Sequence, residues 1–178
     1  TNNQFIKYGK RMIFVYFNNH QNNEKKIIIV YKILEKYKII LITMQDANKL
    51  DEFEVDPENN LFSFENGFLI YKNGPYQKII FAPRDIEGEF VIPKEITHIG
   101  QYSFYKRNNL LSVKSISSKL TIITDNSFYK CEKLKSIKIE QKTKLILGNS
   151  CFLQSQSLES VEITCKELKI CDTVFSIA

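Results

Sequence analysis

Ser127-Phe128-Tyr129-Lys130-Cys131-Glu132-Lys133-Leu134-Lys135-Ser136-Ile137-Lys138-Ile139 decides the fold, because its apolar residues return at a fixed spacing on either side. Phe128 has counterparts in Phe104 and Phe152, 24 residues away in each direction, and in Phe175, 23 beyond Phe152. Ile99, Ile123, Leu147 and Ile170 stand five residues before the phenylalanines, and Ser103, Ser127, Cys151 and Val174 stand one before. Leu110, Leu134 and Leu158 follow six after, and Val113, Ile137 and Val161 nine after. A period in the twenties marks a solenoid whose coils bury their apolar faces only by stacking on one another. Each coil carries a well-marked strand, Leu110–Ser115, Leu134–Ile139 and Leu158–Ile163, with Leu134, Ile137 and Ile139 pointing inward.

Val91-Ile92-Pro93, Ile96-Thr97-His98-Ile99-Gly100 and Ser103-Phe104, with Ser127-Phe128-Tyr129-Lys130-Cys131 and Leu134-Lys135-Ser136-Ile137, resemble the BspA-like family of leucine-rich repeats. The cysteine column of that family survives at Cys131 and is Arg107 and Ser155 in the adjacent coils; its proline survives at Pro93. The resemblance implies a mainly β leucine-rich-repeat solenoid with coils of 23–24 residues, one parallel strand per coil and an inserted β-hairpin.

Outward from the array, residues 91–178 read as the repeats, truncated in a fourth coil, and 50–90 as a coil with a hairpin insertion. Asp56-Pro57-Glu58-Asn59-Asn60 is a turn cluster. Phe62 to Tyr71 leads into Lys72-Asn73-Gly74-Pro75, and Lys78-Ile79-Ile80-Phe81 returns. Asn73-Gly74 supplies the turn, with Pro75 able to lengthen the loop. Residues 1–49 are a basic lead-in. Met12–Phe17 and Ile27–Tyr31 read as strands, and Ile39, Met44, Leu50 and Phe53 match the repeat offsets of a degenerate coil, with a short helix over Lys32–Lys38 as the alternative.

Charge narrows the partners. Residues 1–49 hold nine Lys/Arg against three acids, and residues 50–178 hold sixteen against seventeen, so the array is close to neutral. A nucleic-acid-binding solenoid would place basic residues on the array, so nucleic acid is an unlikely partner. The apolar run at Met12–Phe17 is too short for a signal segment, and Lys32, Glu35, Lys36 and Lys38 interrupt Ile27–Met44, which excludes a membrane span there.

Catalytic chemistry finds no support. Only His20 and His98 are present, and His98 occupies a structural column shared with Ile122, Ile146 and Lys169. Cys131, Cys151, Cys165 and Cys171 form no Cys-x-x-Cys pair, and the six glycines form no phosphate loop, so no catalytic, metal or cofactor residue is assigned. Cys131 and Cys151 read as small buried residues; a disulfide of Cys165 with Cys171, or of Cys131 with either, stays open for an extracellular protein, with free thiols the default.

The candidate binding face is the outward row of the stacked strands: Leu111, Lys114, Lys135, Lys138, Glu159 and Glu162. Lys135 is expected beside Glu159 and Lys138 beside Glu162. Tyr102, Tyr105 and Tyr129, flanking the phenylalanine column, fit packing or binding equally. No cofactor or small-molecule substrate is expected. The resemblance implies adhesion or recognition at a cell surface or after secretion, through a protein or extracellular-matrix partner. An intracellular interaction scaffold is the alternative.

Overall fold

The computed structural model describes the backbone of residues 3–8, 12–19, 24–30 and 52–54, and residues 55, 59–115 and 119–175 with their side chains. It divides into two compact units, Thr1–Leu69 and Ile70–Ala178.

In the first unit, β1 (Asn3–Tyr8), β2 (Met12–Asn19) and β3 (Glu24–Val30) form an antiparallel meander, and β4 (Glu52–Val55) adds in parallel to β3. Both apolar runs of the lead-in are therefore strands, as their β-branched and aromatic content favours. Phe53 lies opposite Ile27 in this sheet. The other residues of the expected degenerate coil, Ile39, Met44 and Leu50, the alternative helix over Lys32–Lys38, and Asp56-Pro57-Glu58 lie outside the described residues. The Asn59 side-chain oxygen accepts from the Leu61 and Phe62 amides at 2.9 and 3.0 Å, which starts β5 (Phe62–Glu65).

The second unit is the solenoid. Sheet I has strand order β14-β12-β10-β8, from β8 (Gly88–Val91), β10 (Leu110–Ser115), β12 (Ser136–Glu140) and β14 (Ser160–Thr164). Its neighbours are parallel, with Ser112, Ser136 and Ser160 in register. Every full coil also carries a second, shorter strand: β9 (His98–Ile99), β11 (Ile122–Ile123), β13 (Lys144–Leu147) and β15 (Glu167–Ile170). These stack in parallel as sheet II. The column at Ile99, Ile123, Leu147 and Ile170 lies on them, so the coil has two strands where the sequence suggests one.

The hairpin is present and shares the array's own framework. β6 (Phe68–Asn73) and β7 (Tyr76–Phe81) lie side by side, and β7 pairs in parallel with β9, so the hairpin continues sheet II. Its turn is Gly74-Pro75, with Asn73 still on the strand; the Gly74 φ of 58° and the fixed φ of proline close it in two residues. The Asn-Gly pair with two positive φ angles is Asn66-Gly67, at 50° and 78°, between β5 and β6.

Phenylalanine forms the core rungs. Phe104 and Phe128 stack at 4.6 Å between centroids, Phe128 and Phe152 at 5.4 Å, and Phe152 and Phe175 at 5.7 Å. Backbone amides of the turns donate to the next coil: Phe104 to Ser127 (2.9 Å), Phe128 to Cys151 (2.8 Å) and Phe152 to Val174 (3.1 Å). Buried backbone groups are thus paired along the solenoid axis, where no other partner is within reach. The Ala82 amide donates to Ser103 at 2.9 Å, which puts a fully buried alanine in the phenylalanine position of the first coil.

Candidate functional site

Period-two burial along β12 buries Ile137 and Ile139 and turns Lys138 and Glu140 to solvent. The parallel register then sorts the outer face of sheet I into rows. Val91, Lys114, Lys138 and Glu162 form one; Glu89, Ser112, Ser136 and Ser160 form the next. Leu111, Lys135 and Glu159 form a third, tied by Lys135 N donating to Leu111 O and Glu159 N to Lys135 O, each at 2.8 Å.

Leu111 stands 43% exposed, as Lys135 and Glu159 are exposed in the same row. The pairing of β10 with β8 shifts between Leu110 and Ser112, which leaves Leu111 without a partner on β8. Val91, 44% exposed, lies opposite Lys114. Sequence reasoning missed Val91 as a surface residue; its position 23 residues before Lys114 is the signal that could have found it.

Lys138 is held between two carboxylates, 3.3 Å from Glu140 and 3.6 Å from Glu162. The hydrogen bond it donates to Glu140, then the charge of Glu162, raises its pKa. Lys135 and Glu159 adjoin through the backbone but form no ion pair. Lys114 and Lys135 are therefore the two cations of this face without an ion pair among the described residues. Each has an exposed aliphatic neighbour in its row, Val91 beside Lys114 and Leu111 beside Lys135.

His98 sits on the outer side of sheet II, half-buried like Ile122 and Ile146 in the same register, so its column is a surface row and not a core one. Its ring lies 4.3 Å from that of Tyr76, and Nδ1 is 2.8 Å from Thr97 Oγ1. Burial, then the Lys78 charge, lowers its pKa, which favours the neutral ring. Among the described residues no group of three or more His, Cys, Asp or Glu could hold a metal ion. Nor is any described helix long and apolar enough to cross a membrane.

All four cysteines are free thiols. The Cys131 thiol donates to Phe104 O at 3.0 Å, and Ser155 Oγ donates to Phe128 O at 3.0 Å. Arg107, in the same column, donates from Nε and Nη2 to Ala82 O at 3.0 and 2.7 Å, with its guanidinium 4.8 Å from the Phe81 ring centre. Three side-chain types thus do one job, each supplying a donor to a carbonyl of the preceding coil. What looks like loss of a cysteine pattern is conservation of a hydrogen bond within this chain's own repeats.

These stacked coils match the model of the BspA type leucine rich repeat region in six copies, over residues 78–177. The chain belongs to the BspA-type leucine-rich repeat family. Among solved structures it is similar to a leucine-rich cell surface protein of Faecalibacterium prausnitzii A2-165, at 18% identity and a TM-score of 0.37, covering 66% of this chain and 42% of that one. It is also similar to the pneumococcal vaccine antigen PcpA, at 20% identity and a TM-score of 0.39, covering 69% of this chain and 40% of that one. The chain therefore spans less than half the length of either. No curated protein matches it.

A hollow of about 220 Å³ lies between the last two coils, lined by Phe152, Leu158, Val161 and Phe175 with Glu159 and Ser160 alongside. Glu159 is its only titratable lining group, which gives no acid–base pair.

Proposed function

We propose that this BspA-type array is a non-catalytic protein-binding module, presenting the outer face of sheet I to a protein or extracellular-matrix partner in adhesion or recognition at the cell surface or after secretion. The observation that carries the reading is the pairing, in two rows of the outer face, of an exposed aliphatic side chain with an unpaired lysine: Val91 with Lys114 and Leu111 with Lys135. Apolar contact area beside a charge without an internal partner suits a macromolecular surface, where burial supplies affinity and charge sets the docking register. The compartment rests on the family resemblance.

Labelling intact cells with a membrane-impermeant reagent, followed by thiol counting on the recovered protein, tests this reading. Labelling from outside is the expected result. Labelling only after lysis, with four free thiols, transfers the same face to an intracellular scaffold. That second reading is favoured by the four unbridged cysteines, since oxidising compartments promote disulfides.

A further inference from the structure

We propose a second binding site on the turn side of the solenoid, away from the strand face: Tyr102, Tyr105, Lys106, Tyr129 and Lys130 form a patch that takes an acidic protein segment. The repeat itself assembles it. Tyr105 and Tyr129 each follow a core phenylalanine by one residue, and Lys106 and Lys130 by two, so stacking the coils stacks the pairs. The Tyr105 and Tyr129 rings lie 5.5 Å apart at an interplanar angle of 18°. Tyr102 meets them edge-on at 6.1 and 6.4 Å. Lys106 Nζ lies 5.3 Å from the centre of the Tyr105 ring, and Lys130 Nζ lies 5.4 Å from that of Tyr129.

The patch is held rigidly and its polar tips are free. Lys106 N donates to Tyr129 O and Lys130 N to Leu153 O, both at 3.0 Å, so the backbone beneath is fixed from coil to coil. Among the described residues, no hydrogen bond engages the three phenol oxygens and no ion pair engages the two ammonium groups. The nearby acids are occupied: Asp125 Oδ1 accepts from the Asn149 amide at 2.7 Å, and Glu132 accepts from Asn108 Nδ2 at 3.4 Å. Three phenol hydroxyls and two ammonium groups thus offer donors with no carboxylate among them.

That chemistry selects the partner. The faces of Tyr105 and Tyr129 are already covered by each other and by the lysines, which leaves little open ring face for stacking a sugar or a base. Outward-facing ring edges, phenol hydroxyls and ammonium groups all favour an anionic acceptor, and carboxylates of Asp and Glu supply one. Tyrosine also gives contact area at small conformational cost.

The coil of Phe152 provides the control, since it has Leu153 and Gln154 where the coils of Phe104 and Phe128 have Tyr-Lys. Changing Tyr105→Leu, Lys106→Gln, Tyr129→Leu and Lys130→Gln together introduces only residues that this fold already accepts in those columns. Binding of poly-L-glutamate to the full chain, followed by isothermal titration at low ionic strength, should weaken about tenfold or more in that variant. Its thermal midpoint should persist, and Lys142→Gln with Lys166→Gln, two exposed lysines outside both faces, should leave the affinity unchanged. Absence of binding to the unaltered chain, equal affinity in the turn-side variant, equal loss in the Lys142/Lys166 variant, or preference for heparin over poly-L-glutamate would each overturn the assignment.

Discussion

Phe128 shows what one residue contributes to this solenoid. It is fully buried, with Phe104 on one side at 4.6 Å and Phe152 on the other at 5.4 Å, so its removal opens a cavity that two coils share. Phe128→Ala should cost about 3–5 kcal/mol in urea unfolding; a loss below about 1 kcal/mol would contradict its place in the core. Cys131 makes a finer case. Its thiol acts as a donor, so Cys131→Ser should retain more stability than Cys131→Ala, which leaves the Phe104 carbonyl one partner short at about 1 kcal/mol. Equal stability of the two variants would remove the donor role. Burial pushes the Cys131 thiol up to about 12, from an ordinary value near 9. Between those values the unfolded chain has lost the proton that the folded chain keeps, so stability falls as pH rises from about 9 to 12. The fall should be shallower in Cys131→Ser, measured as urea midpoints across that range.

At the level of the element, each turn is shaped by two left-handed residues placed symmetrically about the phenylalanine. Tyr102, Asn126, Ser150 and Thr173 precede it by two, with φ of 53–56°, and Lys106, Lys130 and Gln154 follow it by two, with φ of 55–60°. Left-handed backbone costs an L-residue roughly 1–2 kcal/mol, whereas glycine adopts it freely and loses roughly 0.5–1 kcal/mol in chain entropy. Gln154→Gly should therefore raise stability by about 0.5–1 kcal/mol, read from the denaturant midpoint; a decrease would mean that the glutamine side chain contributes more than the relieved backbone. These turns also mark where the sequence stops being legible. The phenylalanine, isoleucine and leucine columns are read directly because burial restricts a position to apolar residues in every coil. The left-handed columns hold Tyr, Lys, Gln, Ser and Thr, none of which signals positive φ, and only Asn126 does. The second strands are two to four residues long, too short for alternation to emerge, although their inward residues were visible as a column. On the candidate face, Leu111 with Lys135 and Lys138 with Glu162 follow from the 24-residue offset, while Glu140 enters through the strand's own period of two.

Across the whole array, stability depends on how many neighbours a coil has. In a stack of coils, each interface adds its own term, so a coil flanked on both sides is held more firmly than one flanked on a single side. β12 has β10 and β14 as neighbours and β13 has β11 and β15, whereas β14 and β15 are each the outermost strand of their sheet. The side chains follow: Leu145 and Leu147 are fully buried on β13, while Ile170 on β15 is 54% exposed and Phe175 is 43% exposed where Phe128 is covered. Hydrogen exchange should consequently be graded, slowest for β10 and β12 and fastest for β15, with local opening of the last coil well below the global unfolding free energy. Identical protection in β12 and β15 would show instead that the array opens as one unit. The gradient bears on recognition, because Val91, Leu111, Lys114 and Lys135 belong to the coils that flank or include β10, whereas Glu162 rides on the outermost strand and Glu159 immediately precedes it. A partner docked on the unpaired lysines would meet a surface already fixed before it arrives, and any contact extending to β14 should appear as slowed exchange there. A partner that leaves β14 exchange unchanged is therefore confined to the Val91–Lys135 side of sheet I.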